Sequence, residues 1–449
     1  MSLVRRMQAL GSRGRALRFS RLLFIGILLV GFAVSRPAVP CTTFLAQHAG
    51  QPVFGRNYDW NVGAAIVVMN PRGLQKTSIV LDPRNSAATW TSKYASVTFN
   101  QYGVEQPTGG MNEKGLVVEL MALTATEYPP IDGTPVVDEL QWVQYALDTS
   151  ATVAELITEA SRIRVAMAFI PVHYLACDKA GVCAAFEYLS GQLVVTTGAA
   201  MPAKTLSNDT YAASEAYLAG FSGFGGAAPA PSTSSSLDRF ARASITALTT
   251  VGTTIPDSAY QILDSVAQGP ATQWSIVYVP GESTVYYRTQ TTPKVKSVKL
   301  AGSDCPASRK AIDIDADLQG DVTAAMTEYT DQMGASVLDR SFAPIASALP
   351  AGVEGLVLGY AHSPACMAYA VDAGVDGGGL ASPGFDAEAA GGAGGASTSV
   401  TPGTGGAGAA ETSSSGGCSC TTGASLPGDL LGWILAGVAL LARRRRASR

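Results

Sequence analysis

Cys41 has the residue type and the position of a nucleophile, because it directly follows a segment typical of removable export signals. A cysteine at such a junction serves as a lipid attachment point, a structural thiol or a nucleophile. Lipidation requires a small residue before the cysteine, and Pro40 stands there instead. If processing made Cys41 the first residue, its α-amino group, with a pKa of about 8, could take the thiol proton.

The alternative base is a histidine, and the chain has three: His48, His173 and His362. A papain-like Cys/His pair would use His173, which falls in a predicted hairpin. No local cysteine-protease signature surrounds Cys41, however. We therefore predict an amino-terminal nucleophile and keep a His173-assisted thiol as the competing hypothesis.

Arg56 and Asp59 lie three residues apart in the segment GRNYDW, which begins at Gly55. At the end of a strand, two side chains with this spacing can face one site. Asp59 could hold the amino group and steer the thiol, while Arg56 would support thiolate character. Taken alone, the pair is more typical of a surface ion pair than of a catalytic site.

The elements that must position these residues mix strands and helices without a regular βαβ alternation. Residue patterning predicts strands over 41–54 and 115–121, with a turn at 109–112, and hairpins over 172–189 and 272–289. It predicts helices over 136–160, with a break near Ser150, and over 209–219 and 236–248. This mixture favours layered sheets covered by helices over a doubly wound parallel sheet.

Taken together, an ordered set of short motifs resembles the choloylglycine hydrolase family, which contains bile salt hydrolases and penicillin V acylases. Any one motif is weak, but their order along more than half of the chain is specific. The matching segments are Cys41-Thr42, Gly55 to Asp59, Gly110 to Leu116, Leu206 to Tyr211, Asp238 to Phe240 and Thr272 to Trp274.

The resemblance implies an α+β fold, the four-layer αββα sandwich of N-terminal-nucleophile (Ntn) hydrolases, and a role for five residues. Cys41 would attack an amide carbonyl, and Asp59 and Arg56 would position and tune it. Asn208 would donate its side-chain amide to the oxyanion, and Arg239 would hold the surroundings of the nucleophile.

One departure concerns bile-salt specificity. The bile-salt enzymes carry an asparagine where this chain has Ala122. The family uses a main-chain N–H at that place, so the oxyanion hole is retained while the preference for bile salts is weakened.

The implied activity is hydrolysis of a linear amide C–N bond in a small N-acyl substrate, through a thioester and without metal or organic cofactor. Penicillin V and N-acyl homoserine lactones are candidate substrates, and a homo-oligomer stays open. Two alternatives remain: an acyltransferase of the acid-ceramidase or isopenicillin-acyltransferase type, and a non-catalytic surface protein with the same fold.

Composition fits an exported globular protein. The net charge of −4, without a basic face, argues against a nucleic-acid partner. Among seven cysteines, Cys177 could pair with Cys183 and Cys305 with Cys366, which leaves Cys41 as the odd thiol of the globular part.

Both ends of the chain are typical of targeting. Residues 1–40 combine arginines with the apolar run from Leu22 to Val34, as in a signal segment or, alternatively, an uncleaved anchor. The catalytic domain is predicted over 41–300 with an extension over 301–372 and a Gly/Ala/Ser-rich linker over 373–425. Residues 426–449 resemble a myxobacterial-type sorting tail, either removed by sorting machinery or kept as a membrane anchor, so we expect export to the cell surface, outer envelope or medium.

Overall fold

The computed structural model describes residues 41–249, 254–344, 353–360 and 365–366. The predicted signal segment 1–40, linker 373–425 and tail 426–449 lie outside the described residues, as do Cys418 and Cys420. None of the helices in the described ranges is both long and apolar enough to cross a membrane.

Strands outnumber helices along the described chain. The helices are α1 (Gln141–Thr149), α2 (Val153–Ala160), α3 (Tyr211–Leu218), α4 (Ser236–Thr249), α5 (Ile255–Ser265), α6 (Asp331–Phe342) and α7 (Val353–Tyr360). The strands are β1 (Thr42–His48), β2 (Gln51–Asp59), β3 (Ile66–Asn70), β4 (Leu74–Thr77), β5 (Thr89–Thr91), β6 (Ser96–Asn100), β7 (Pro107–Asn112), β8 (Val117–Ala122), β9 (Val136–Asp138), β10 (Arg164–Ala166), β11 (Val172–Cys177), β12 (Cys183–Leu189), β13 (Gln192–Thr197), β14 (Thr205–Leu206), β15 (Thr272–Val279), β16 (Thr284–Thr289), β17 (Lys296–Lys299), β18 (Lys310–Asp313), β19 (Gly320–Asp321), β20 (Thr327–Glu328) and β21 (Ala365–Cys366).

Two large sheets, mainly antiparallel, face each other across the main core. One has seven strands in the order β14-β1-β2-β15-β16-β17-β19, and the other has nine in the order β13-β12-β11-β8-β7-β6-β3-β18-β20. Side chains of both sheets meet between them; the ring of Tyr278 lies 6.2 Å from that of Phe99. Helices α4 and α5 pack on β1, β2 and β15, while α1 packs on β7 and β8. The fold is therefore the predicted four-layer αββα sandwich.

Some predicted boundaries are wrong in detail. The segment 41–54 is not one strand: it turns at Ala49 and Gly50, both with positive φ, and forms the β1–β2 hairpin. The alternating pattern continues on both sides of that tight turn and so hides it. Residues 136–138 form strand β9 rather than the start of a helix, although the predicted break at Ser150 does separate α1 from α2.

The predicted turn at 109–112 is also misplaced, because these residues belong to strand β7. A Cβ on Gly109 would lie 1.9 Å from Glu119 Oε2, and a Cβ on Gly110 would lie 2.5 Å from the carbonyl oxygen of Val97. The glycines therefore serve close packing and not a change of direction. The chain turns just afterwards, at Gly115, where φ is +85°.

The predicted extension contributes directly to the sandwich. Strand β18 pairs with β3 in the nine-stranded sheet, and β19 pairs with β17 in the seven-stranded sheet. Helix α6 buries Val337, Leu338 and Phe342 against Ile66 and Val68 of β3. Residues 310–342 thus complete both sheets at one edge.

Two disulfides cross-link the described chain, one between Cys177 and Cys183 and one between Cys305 and Cys366. Both pairings are among those that the sequence analysis considered possible. Cys41 is the free cysteine of the described residues, and it is buried.

The two disulfides should differ in their contribution to stability, because they close loops of different length. The paired residues are 61 positions apart for Cys305–Cys366 and 6 apart for Cys177–Cys183. We expect replacement of both cysteines by alanine to lower the free energy of unfolding by about 4 kcal/mol for the first pair and about 2 kcal/mol for the second. Urea unfolding of the two double variants tests this order, and a larger loss for the shorter loop would contradict it.

Candidate active site

Cys41 lies just before strand β1, with 4% of its surface exposed. The β1–β2 hairpin places Phe44 opposite Gly55, where a Cβ would lie 2.3 Å from the Phe44 ring. Glycine at this position therefore allows the ring to cover the strand. The hairpin also brings the end of β2 beside Cys41, whose Sγ–H donates to the main-chain oxygen of Asp59 at 3.7 Å.

Arg56 projects from β2 into the space between the sheets and is fully buried. Its Nη1 lies 2.5 Å from Glu119 Oε2 on β8, and its Nη2 donates to the main-chain oxygen of Leu120 at 3.0 Å. Burial is the largest single influence and works to lower the pKa of the Arg56 guanidinium, but Glu119 together with the smaller effects of Cys41, Tyr58 and Tyr278 raises that pKa overall. Arg56 is therefore a permanent positive charge near the thiol, held by an inter-sheet ion pair.

Asp59 ends β2, and its carboxyl group is buried. Its Oδ1 accepts a hydrogen bond from the hydroxyl of Thr272 at the start of β15. Its Oδ2 has no hydrogen-bond partner among the described residues. Burial raises the pKa of the Asp59 carboxyl to about 7, against the opposing effects of Thr272, Arg239 and Arg56.

Arg239, in the first turn of α4, connects Cys41 with Asn208. Its Nη1 donates to the main-chain oxygen of Cys41 at 2.6 Å and to the hydroxyl of Thr42. Its Nη2 donates to Asn208 Oδ1 at 2.8 Å. Burial lowers the pKa of Arg239 to about 10, which leaves the guanidinium charged at neutral pH.

Asn208 sits between β14 and α3, with its side chain fixed at both ends. Its Oδ1 accepts from Arg239, and its Nδ2 donates to the main-chain oxygen of Ala122 at 2.8 Å. Its own main-chain N–H donates to Ser236 Oγ at 2.8 Å. Asn208, which was predicted from a loose motif match, therefore contacts Ala122, the position at which this chain departs from the family pattern.

Charges around Cys41 oppose each other. Burial raises the pKa of the Cys41 thiol, and Asp59 raises it further, while Arg56 and Arg239 lower it; the net shift is upward. The thiol is therefore neutral at ordinary pH and needs a local proton acceptor to become a nucleophile.

His173 does not provide that acceptor. Its side chain is buried on β11, with Nε2 2.7 Å from the main-chain oxygen of Ser207 and Nδ1 3.1 Å from Glu187 Oε1. Both ring nitrogens are thus engaged away from the Cys41 sulfur. The papain-like hypothesis is not supported by this geometry.

Two residues of the site escaped the sequence analysis, Glu119 and Thr272. Glu119 is the single charged residue of the strand β8, VVELMA, and a charge in an otherwise buried strand was a usable signal. Thr272 belonged to a motif that we quoted, but its partner, Asp59, is 213 residues away in sequence. The other four predicted site residues, Arg56, Asp59, Asn208 and Arg239, lie together on the Cys41 side of these contacts.

This chain is similar to known proteins in sequence and in structure. A model described as linear amide C-N hydrolases, choloylglycine hydrolase family, matches residues 41–223. A penicillin V acylase of Pectobacterium atrosepticum is 27% identical over 237 residues, which are 48% of this chain and 61% of that protein. The solved structure of a penicillin V acylase from Agrobacterium tumefaciens is 25% identical and has a TM-score of 0.57, covering 65% of this chain and 98% of that one.

The sandwich, with Cys41 buried directly before its first strand, is that of an N-terminal-nucleophile hydrolase. Residues 41–223 of this chain are similar to the choloylglycine hydrolase family of linear amide C–N hydrolases.

The Arg56–Glu119 pair predicts a large loss of stability in Glu119→Gln, because the substitution leaves a fully buried guanidinium without its counter-ion. We expect the free energy of unfolding to fall by about 3–5 kcal/mol. Asp317→Asn is the matched control, since Asp317 pairs with Lys294 at 2.7 Å with both side chains exposed. That control should change stability by less than about 1 kcal/mol. Equal effects of the two substitutions in chemical unfolding would contradict this account of Arg56.

Proposed function

We propose that this protein is an exported cysteine amidohydrolase that cleaves the amide bond of a small N-acyl substrate, and that processed Cys41 is its nucleophile. The observation that carries the proposal is the cluster in which Asp59, Arg239 and Asn208 surround Cys41 through direct hydrogen bonds or through one another. The named relatives are penicillin V acylases, which supports the substrate class.

The α-amino group of Cys41 acts as the base. A buried neutral thiol needs an adjacent proton acceptor, and an amine with a pKa of about 8 is suitable near neutral pH. Asp59 Oδ2 supports this role, because it is buried and has no hydrogen-bond partner among the described residues. An α-ammonium group there would satisfy the oxygen and favour the ionised form of a carboxyl group whose pKa is about 7.

The reaction then has two balanced halves. The amine takes the thiol proton, the thiolate sulfur bonds to the carbonyl carbon, and the ammonium group returns the proton to the leaving nitrogen as the C–N bond breaks. A water molecule next attacks the thioester with the amine as base. The C–S bond breaks, the acid is released, and the Cys41 thiol is restored.

Asn208 stabilises the negative oxygen formed in both halves. A primary amide nitrogen carries two N–H groups, and the main-chain oxygen of Ala122 takes one at 2.8 Å. The second donates to the oxyanion, together with a main-chain N–H near Ala122. Arg239 fixes the amide through Oδ1, so that the donor is oriented before substrate arrives.

The acyl part of the substrate is apolar, as in penicillin V or an N-acyl homoserine lactone. A panel of these amides, with and without an added amine acceptor, tests both the substrate class and the choice of water over an amine. Formation of free acid in both conditions supports a hydrolase, while acyl transfer to the added amine in preference to water contradicts it.

Export is part of the same proposal, because removal of residues 1–40 would generate the Cys41 amino terminus. It rests on the arginines and the apolar run of the first 40 residues and on the arginine-rich end of the chain. The tail after residue 425 then serves as a sorting signal or anchor for the surface-exposed enzyme.

We expect Cys41 to work only as a free amino terminus. A protein that keeps Pro40 should fold with an unchanged thermal midpoint but should lose turnover, because an amide nitrogen cannot accept the thiol proton. Cys41→Ser, with a free terminus, should also be far slower, since a hydroxyl is much less acidic than a thiol with a pKa of about 8.5. Amino-terminal sequencing and kinetics of the exported protein test this expectation. Full activity with Pro40 attached would refute the mechanism.

We expect Asn208→Ala to lower kcat by about a hundred-fold or more, because one oxyanion donor is lost. Asn208→Asp is the matched variant: it retains an oxygen for Arg239 but has no N–H to donate. Both variants should lose kcat while circular dichroism reports an unchanged fold. If Asn208→Asp keeps the wild-type kcat, Asn208 is not the donor.

A further inference from the structure

We infer that His173 and Glu187 form a buried positioning pair that holds the segment carrying Asn208 in its working orientation. The inference rests on the proposed oxyanion role of Asn208. It assigns to His173 a task other than that of a base, performed through its own contact with the main chain of Ser207 and through the contact of Glu187 with the main chain of Tyr211.

The pair makes hydrogen bonds to the main chain at both ends of the short segment between β14 and α3. Before Asn208, His173 Nε2 lies 2.7 Å from the main-chain oxygen of Ser207. After it, the main-chain N–H of Tyr211, the first residue of α3, donates to Glu187 Oε1 at 2.9 Å. His173 Nδ1 and Glu187 Oε1 are 3.1 Å apart, and the two residues come from the adjacent strands β11 and β12. The sheet therefore fixes the separation of the two main-chain contacts.

The hydrogen-bond pattern defines the tautomer of His173. A carbonyl oxygen accepts only, so Nε2 must carry a proton and donate to Ser207. Nδ1 faces Glu187 Oε1, and one further proton lies between these two atoms. Both side chains are almost completely buried, so it would be costly to leave His173 Nδ1 and Glu187 Oε1 facing each other without a proton between them. The pair is therefore a fixed structural unit.

The positioning of this segment matters for catalysis because two short hydrogen bonds fix the orientation of the Asn208 side chain. Its Nδ2 is 2.8 Å from the main-chain oxygen of Ala122 and its Oδ1 is 2.8 Å from Arg239 Nη2. Rotation of the Ser207 peptide would move both contacts and the second amide N–H with them. A displacement of about 1 Å in a positioning group can cost up to about a hundred-fold in rate.

Two substitutions separate the two functions of the imidazole. In His173→Gln, the side-chain amide nitrogen can take the place of Nε2 and still donate to Ser207. In His173→Asn, the shorter side chain reaches the position of Nδ1, toward Glu187, and the contact with Ser207 is lost. We expect His173→Asn to lower kcat at least about ten-fold with an unchanged KM, and His173→Gln to restore most of that loss. His48→Gln, at a histidine that contacts Ser258, is the control and should keep wild-type kinetics.

A double-variant cycle connects the effect to Asn208. If His173 acts through Asn208, His173→Asn should cause little further loss of kcat in an Asn208→Ala background. Independent, multiplicative losses would overturn the inference while leaving the oxyanion role of Asn208 intact. If Asn208→Ala alone keeps the wild-type kcat, the oxyanion assignment itself fails.

Crystal structures of the two His173 variants test the positioning without any activity. We expect the contacts of Asn208 with Ala122 and Arg239 to persist in His173→Gln and to be broken in His173→Asn. An unmoved Asn208 in His173→Asn would overturn the inference even if no amide substrate is ever turned over.

Discussion

The buried charge of Arg56 is the constraint on which the centre of this sandwich depends. A fully buried guanidinium must have its charge compensated inside the protein. Glu119 of the opposite sheet supplies the counter-ion, and the main-chain oxygens of Thr108 and Leu120 accept from the guanidinium. The two sheets are thereby fixed to each other next to Cys41.

Residues around the Arg56–Glu119 pair leave space for it and form further contacts with it. Gly109 leaves the space that the Glu119 carboxylate occupies, and the hydroxyl of Tyr278 donates to its other oxygen at 2.5 Å. The Arg56 guanidinium stacks over the ring of Tyr58, 4.7 Å from its centroid. The positive charge that favours a thiolate at Cys41 is thus part of the packing between the sheets, and the same contacts serve stability and chemistry.

A second guanidinium, Arg239, extends the arrangement from Cys41 to Asn208. It belongs to α4, which covers the outer face of the seven-stranded sheet, and it reaches Cys41 and Asn208 with separate N–H groups. The start of β1, the end of β2 and the segment before α3 are therefore held at one end of the sandwich. Residues distant in sequence form a single site because the ends of the neighbouring strands β1, β2 and β15 lie side by side there.

The sandwich and the cluster around Cys41 could be predicted, because short motifs in a fixed order resemble a family whose members imply both. The sequence did not reveal Glu119 or the true use of Gly109 and Gly110, since cross-sheet contacts have no local signature. The one-strand prediction over 41–54 failed because a tight turn at Ala49-Gly50 preserves alternation on both sides. His173 entered the sequence analysis only as a competing base, and only the three-dimensional contacts reveal that both of its nitrogens are engaged elsewhere.

The central claim is that Cys41 forms a thioester with the acyl group while its own amino group acts as the base. The most direct test is mass spectrometry of the mature protein, quenched in acid during turnover of penicillin V or another N-acyl amide and then digested. Acid is required because a thioester on an amino-terminal cysteine would otherwise migrate to the amine. The account predicts the acyl mass on the sulfur of an amino-terminal Cys41 peptide. An acyl adduct on any other residue, or on a Cys41 still preceded by Pro40, would contradict it.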